Sequence, residues 1–207
     1  MDGGRKAECP NCGAPIAWKI GASHALVCGY CRFSVVRSDR DLRAVGKVAD
    51  LVPTASPIAV GDSGSIAGKG FSVLGRLQLD HGRGPWDEWY LSFSDGSWGW
   101  LASAQGRWYL TYEKDGRGLP TWDALGAGAR GTFAGTGSLE WVVSERGGSA
   151  LVSAEGELPF PIMPLSSGRY VDLEGDGNAF ASIDFGDGSE TPRLFVGRRL
   201  GDHEIIL

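Results

Sequence analysis

Four cysteines fall within the first 31 residues as two pairs, Cys9-Pro-Asn-Cys12 and Cys28-Gly-Tyr-Cys31, with fifteen residues between them. Nothing else in the 207-residue chain limits its folding so narrowly. A C-x2-C pair turns tightly enough for both sulfurs to face one ion, and two such knuckles joined by a hairpin complete a tetrahedral thiolate shell. The spacing predicts a zinc ribbon over residues 1–37, with one structural zinc held by Cys9, Cys12, Cys28 and Cys31. Four protein ligands leave the metal no open position, so it would hold a fold and activate no water. Gly13 and Gly29 are expected to take the special backbone angles of the knuckles, and Pro15 to Ile20, Ala25 to Val27 and Phe33 to Val36 read as the ribbon's short strands. Thiols grouped as metal ligands fit a reducing compartment. The polar start, Met1-Asp-Gly-Gly-Arg-Lys, has no apolar h-region. A cytoplasmic location is therefore expected. No stretch approaches the roughly 18 apolar residues of a membrane span, so no integral membrane segment is expected.

Residues 38–57 read as a short helix and a linker. Ser38 with Asp41 three residues on has the form of a capping box, and Leu42, Val45 and Ala49 share one helical face, although Gly46 weakens it. Pro53 and Pro57 mark the linker. Beyond them glycine, 33 positions in the whole chain, combines with a 10% aromatic share to favour sheet joined by tight turns. Asp95-Gly96, Asp115-Gly116, Gly147-Gly148, Asp176-Gly177 and Asp187-Gly188 are hairpin signals. Trp89, Leu91 and Phe93 alternate with Glu88, Ser92 and Ser94, and Ala179, Ala181, Ile183 and Phe185 oppose Ser182 and Asp184. Gly61-Asp-Ser-Gly-Ser-Ile-Ala-Gly-Lys-Gly70 repeats as Gly128-Ala-Arg-Gly-Thr-Phe-Ala-Gly-Thr-Gly137, identical at five of ten positions. The expected architecture is all-β: a small N-terminal zinc ribbon followed by two related small β-barrel or sandwich lobes, residues 58–117 and 118–207, arisen by internal duplication.

Charge argues against nucleic acid as the main partner. The chain carries 20 Lys and Arg against 25 Asp and Glu, without the basic footprint such binding needs. Residues 1–50 alone are basic, with eight cationic and five acidic side chains, so the ribbon is the one place where nucleic acid could bind. Several short motifs resemble catalytic ones without their context. Gly61-Asp-Ser63-Gly lacks an assigned base, and its repeat partner lacks the serine. Gly68-Lys69-Gly70 has glycine where a phosphate loop needs Ser or Thr. Asp184-Phe-Gly186 reads as a strand end entering a turn. Asp172 to Asn178 alternates acids like a calcium loop but puts Ile183 where the bidentate Glu belongs. His24, His81 and His203 are scattered and expected to be exposed.

Trp86, Trp89, Tyr90, Trp98, Trp100, Trp108 and Tyr109 crowd into 24 residues. Period-two placement assigns most of them to a core, whereas Trp86 and Trp108 flank turns and are the candidate binding aromatics, with Glu88 beside them. If the protein is an enzyme of unrecognised type, Asp80, His81, Asp87 and Glu88 are its candidate polar set.

At Gly70-Phe-Ser-Val-Leu-Gly-Arg-Leu-Gln78, Trp86-Asp-Glu-Trp-Tyr-Leu91 and Gly99-Trp-Leu101 the chain resembles a bacterial family, domain of unknown function 4178. Gly156-Glu-Leu-Pro159, Tyr170-Val-Asp172 and Phe180-Ala-Ser-Ile-Asp184 extend the resemblance over roughly residues 55–200. It implies that an N-terminal zinc ribbon is a common companion, that the setting is an envelope-linked assembly, and that no catalytic residues carry over. The sequence as a whole points to a non-catalytic zinc-ribbon binding or adaptor protein with an unidentified protein partner, one that the resemblance would set at the membrane.

Overall fold

Alternating side chains and tight turns build sheet throughout the chain. The computed structural model describes residues 6–21, 23–38, 41–54, 56–163, 166–188 and 191–207. Its strands are β1 (Lys6–Glu8), β2 (Pro15–Ala17), β3 (Ala25–Val27), β4 (Phe33–Arg37), β5 (Leu42–Lys47), β6 (Ser63–Ile66), β7 (Lys69–Asp80) and β8 (Pro85–Phe93). There follow β9 (Trp98–Ala104), β10 (Arg107–Lys114), β11 (Arg130–Gly131), β12 (Trp141–Leu158), β13 (Ser167–Gly175), β14 (Ala179–Gly186), β15 (Arg193–Leu200) and β16 (Ile205–Ile206).

Eight of these close a barrel. Antiparallel pairing runs β7-β8-β9-β10-β15-β14-β13-β12, and β12 pairs back to β7. The all-β expectation holds, but the two lobes are halves of one barrel and enclose no separate interiors. Strands β7–β10 and β12–β15 are each a four-stranded meander, preceded by a short strand, β6 or β11, that pairs with the meander's first strand. The sequence repeat survives in the backbone: Gly61 and Gly128, and likewise Gly68 and Gly135, hold positive φ.

Two of the barrel's hydrophobic clusters lie on the outside of its wall, and a third, with Leu77, Tyr90, Trp100 and Leu151, lies within it. Phe71, Val73, Trp89, Leu91, Phe93, Leu101 and Leu110 form one cluster, covered by Ile58 and Val60 of the preceding segment. On the other half, Trp141, Val171, Leu173, Ile183 and Leu194 form a second, covered by Leu119, Trp122, Leu125 and Phe133. Chain outside the barrel thus provides the hydrophobic cover for these two clusters, so that the lumen is part polar and part apolar. Asp87 also faces outward, only 4% exposed. It pairs with Arg76 at 2.7 Å and accepts the Thr54 hydroxyl at 2.5 Å, fastening the linker to the barrel wall.

Barrel closure brings backbones together closely at β15. A Cβ on Gly197 would stand 1.8 Å from the Leu110 carbonyl oxygen of β10. Gly197→Ala must therefore push two paired strands apart, at an expected cost of about 2 kcal/mol. A lowered urea midpoint with unchanged slope checks this.

Three expectations are corrected. Residues 42–47 are strand β5, not a helix, and pair with β4. The Ser38–Asp41 signal closes the β4–β5 turn instead: the Asp41 amide donates to Ser38 Oγ, and the Ser38 amide to the Asp41 carbonyl. An unpaired β4 edge outweighs the modest helix preference of a segment containing Gly46 and Val45. Gly147-Gly148 makes no turn and lies within the 18-residue β12, opposite Tyr170 and Arg169. The bare Gly147 leaves room for the Tyr170 ring, which a Cβ would meet at 3.2 Å. At the second knuckle the positive φ falls on Arg32, at 63°, and not on Gly29. That strained backbone is held by its side chain, whose Nη2 lies 2.7 Å from the Ala49 carbonyl and 2.9 Å from Ser153 Oγ.

Candidate functional site

The cysteine pairs lie on two tight turns. At the first, the Gly13 amide donates to the Cys9 carbonyl, with Gly13 at φ 74°. At the second, the Arg32 amide donates to the Cys28 carbonyl. The Sγ atoms of Cys9 and Cys31 are 3.7 Å apart, those of Cys12 and Cys28 3.9 Å, and all four lie within 4.8 Å of one another. Sulfurs at about 2.3 Å from a tetrahedral metal would be about 3.8 Å apart. The spacing fits, and the quartet could hold a metal ion. Backbone amides of Asn11 and Cys12 point at the Cys9 sulfur and that of Phe33 at Cys31, a donor set suited to thiolates.

The ribbon is not a free appendage. Strand β3 pairs with the end of β12, Ala25 opposite Leu158 and Val27 opposite Gly156, and β4 and β5 extend that sheet. Glu157, 2% exposed, accepts the Lys19 amide at 2.6 Å and the Ile20 amide at 3.4 Å.

The second site is the barrel lumen. A cavity of about 1310 Å³ is lined by side chains from all eight barrel strands and takes in, besides the lumen, part of the outer surface at Thr54, Ser56, Asp87 and Trp89. Typical small-molecule sites occupy roughly 300–1,000 Å³. One region is acidic: Glu88 of β8, Asp172 of β13 and Asp184 of β14 face the space, as do Trp86, Tyr170 and Ser182. Trp86 Nε1 donates to Glu88 Oε1 at 3.0 Å, and the Trp86 and Tyr170 rings lie 6.3 Å apart. Another region is apolar, formed by Leu77, Leu79, Trp100, Leu151, Phe160 and Ile162. Trp100 is 4% exposed, and its indole N–H has no hydrogen-bond partner.

The acids are not equally compensated. Asp184 pairs with Arg193 at 2.5 Å. Burial pushes the Asp172 carboxyl up to about 7 against the hydrogen bond from Ser182, and the nearby charges of Glu145, Glu88 and Glu174 add to the rise. Burial likewise raises Glu88, opposed by its Trp86 hydrogen bond and by Arg193 and reinforced by Asp184. Both behave as carboxylates short of positive charge.

Of the residues expected from sequence, Trp86 and Glu88 line the lumen together. Trp108 does not; it is turned to the outer face, where its ring lies 5.7 Å from that of Trp89. The polar set around residue 80 also divides. Asp80 accepts the amides of Gly82 and Gly84 in its own turn, Asp87 faces outward, and His81 is an exposed residue edging Trp86 at 5.4 Å. Ser63 is exposed against Ser72 Oγ, and Lys69 binds Asp95 and Ser97, so neither enters the lumen. His24 and His203 are exposed, as expected. Sequence reasoning missed Asp172, Tyr170 and Ser182. Their alternation with Val171, Leu173, Ala181 and Ile183 carries the signal, but alternation alone does not say that the polar side lines a cavity.

A quartet of metal-competent thiols paired to a closed barrel with a polar lumen defines the class of protein to which this fold and these sites belong. The family model described as Domain of unknown function (DUF4178) matches residues 59–201, and the chain belongs to that family. The match takes in the barrel and leaves the cysteines outside it. No catalytic family is indicated, and no curated protein or solved structure matches the chain. No helix among the described residues is long and apolar enough to cross a membrane.

Proposed function

We propose that this is a non-catalytic binding protein: a zinc-clamped ribbon braces the barrel and presents it to a protein assembly, while the lumen receives a small ligand. The observation that carries this reading is the cavity of roughly 1310 Å³ into which all eight barrel strands turn side chains, with two hydrophobic clusters outside the wall and a third filling only part of the interior. A fold stabilised from within would have filled that space with side chains. Four thiolates at tetrahedral spacing favour zinc in a structural role. Tyr30, between the second cysteines and 86% exposed, offers the ribbon a contact for a partner protein.

Native mass spectrometry of the full chain, incubated with a small-molecule extract of cells, tests the reading. The expected result is one zinc mass plus a non-covalent adduct that Ala102→Trp abolishes without removing the zinc. Ala102 lines the lumen from β9, so a tryptophan there fills it. A melt of the variant close to wild type shows that the barrel still closes. An adduct that persists in the folded variant would place binding elsewhere.

The runner-up is an enzyme using the raised carboxyls of Glu88 and Asp172 as acid and base. Turnover in an activity screen, lost in Glu88→Gln, would favour it. Nucleic-acid binding is a third reading, and the docking of β3 on β12 weakens it by covering part of the ribbon.

A further inference from the structure

We infer that the lumen ligand is an amphiphilic organic cation, a protonated primary amine on an apolar or aromatic body, bound with its charge between Glu88 and Asp172. This deepens the reading above and rests on it. Three features of the cavity point the same way.

The first is charge. Inside the lumen Glu88, Asp172 and Asp184 face a single interior guanidinium, that of Arg193, which is already committed to Asp184. The other cationic lining residues, Arg83 and Arg107, are exposed. A primary ammonium group entering here would supply the missing positive charge and donate charge-assisted hydrogen bonds from its N–H groups to the two carboxylates. An anionic ligand would meet uncompensated like charge.

The second is the wall. Trp86 and Tyr170 lie beside the acidic region with their rings 6.3 Å apart, and Tyr109 and Phe180, from the two strands that flank β15, meet at 4.3 Å between ring centroids. Aromatic faces beside carboxylates suit an ammonium, which the ring quadrupoles attract. The rings alone would suit a sugar equally, but the surplus of negative charge does not.

The third is the division of the cavity. Leu77, Leu79, Leu151 and Phe160 make an apolar region beside the acidic one. A compact inorganic cation would leave that region empty, whereas an amine with a hydrocarbon or aryl tail fills both.

Isothermal titration of the zinc-loaded full chain with 2-phenylethylamine, 2-phenylethanol and phenylacetate tests the inference at pH 8. These probes share an aryl body and differ in charge. The expected order is amine well above alcohol, with no binding of the acid. Glu88→Gln and Asp172→Asn should each weaken the amine about tenfold and leave the alcohol nearly unchanged. Both changes preserve shape, so they isolate charge from packing. Equal affinity for alcohol and amine in wild type, abolished by Ala102→Trp, would overturn the cation assignment and leave the lumen as a ligand site. Amine binding indifferent to all three substitutions would overturn the lumen reading as well. Absence of binding by all three probes would overturn the assignment of an aryl-bearing amine.

Discussion

Cys28→Ser is expected to reduce bound zinc from about one per chain to almost none and to unfold the ribbon while the barrel stays closed. The ribbon's own core is Cys9, Ile16, Trp18, Leu26, Cys28 and Val35, with two of the metal-competent cysteines among its six members. So few apolar side chains cannot offset the ordering of some forty residues. Structural zinc in comparably small units contributes about 10–16 kcal/mol at neutral pH, and folding and metal binding become one event. The barrel has separate support, because its two outer clusters contain no ribbon residue. The seam should suffer in between. Ala25, Val27 and Val48 share a cluster with Leu74, Tyr90 and Leu158, and Arg32 reaches Ser153 on β12. Hydrogen exchange should therefore show lost protection across residues 25–48 and 156–158, with β13, β14 and β15 retaining theirs. A chelator should reproduce the pattern in wild type. Metal-free protein whose ribbon amides remained protected would show that the sulfurs hold nothing essential.

What the sequence disclosed followed from how local each signal was. The cysteine spacing is a local signal: four residues on two turns specify their own geometry, and the structure brings all four sulfurs together. Strand positions were also legible, since Trp89, Leu91 and Phe93, or Ala181, Ile183 and Phe185, do share faces. Closure was not, because β12 pairing with β7 joins residues more than seventy apart and leaves no periodic trace. The face itself was misjudged for the same reason. Alternation separates apolar from polar sides, but it does not say which side meets solvent. Here the apolar side is covered by residues 58–60 and 119–133, and the polar side lines a cavity. A turn flank marks Trp108 and a calcium-like spacing marks Asp172, and neither signal says which side of the barrel wall the residue takes. Ser38–Asp41 shows a related failure: one pair of hydrogen bonds serves a helix start or a hairpin turn, and only the strand waiting at β4 decided which.

Asp172→Asn is expected to stabilise the ligand-free protein by about 4 kcal/mol at pH 8 and by about half that at pH 5.5. In the native barrel the Asp172 carboxyl is raised to about 7, chiefly by burial. An unfolded chain would ionise it near its ordinary value of about 3.9. Between those values the native state holds a proton that the unfolded state has released, so stability falls as pH rises through the interval and levels off above it. Glu88, raised by the same burial, acts in the same direction. The exposed acids Asp95, Asp115 and Glu204 are lowered by their cationic partners Lys69, Arg117 and Arg198, so their contribution is lost only at more acidic pH, outside this window. Keeping above pH 5.5 also avoids proton competition at the thiolates. Urea midpoints of wild type and variant should therefore diverge steadily from pH 5.5 to 8. Parallel curves would mean that Asp172 meets solvent freely enough to titrate normally, and the lumen would then lack the unbalanced charge on which amine recognition rests. Saturation with 2-phenylethylamine should close most of the gap in wild type alone, because an ammonium beside Asp172 stabilises the ionised carboxylate that the empty barrel disfavours. Amine binding should accordingly expel protons near pH 6.5, measurable as a dependence of the titration heat on the buffer's own ionisation enthalpy, and Asp172→Asn should remove most of that dependence.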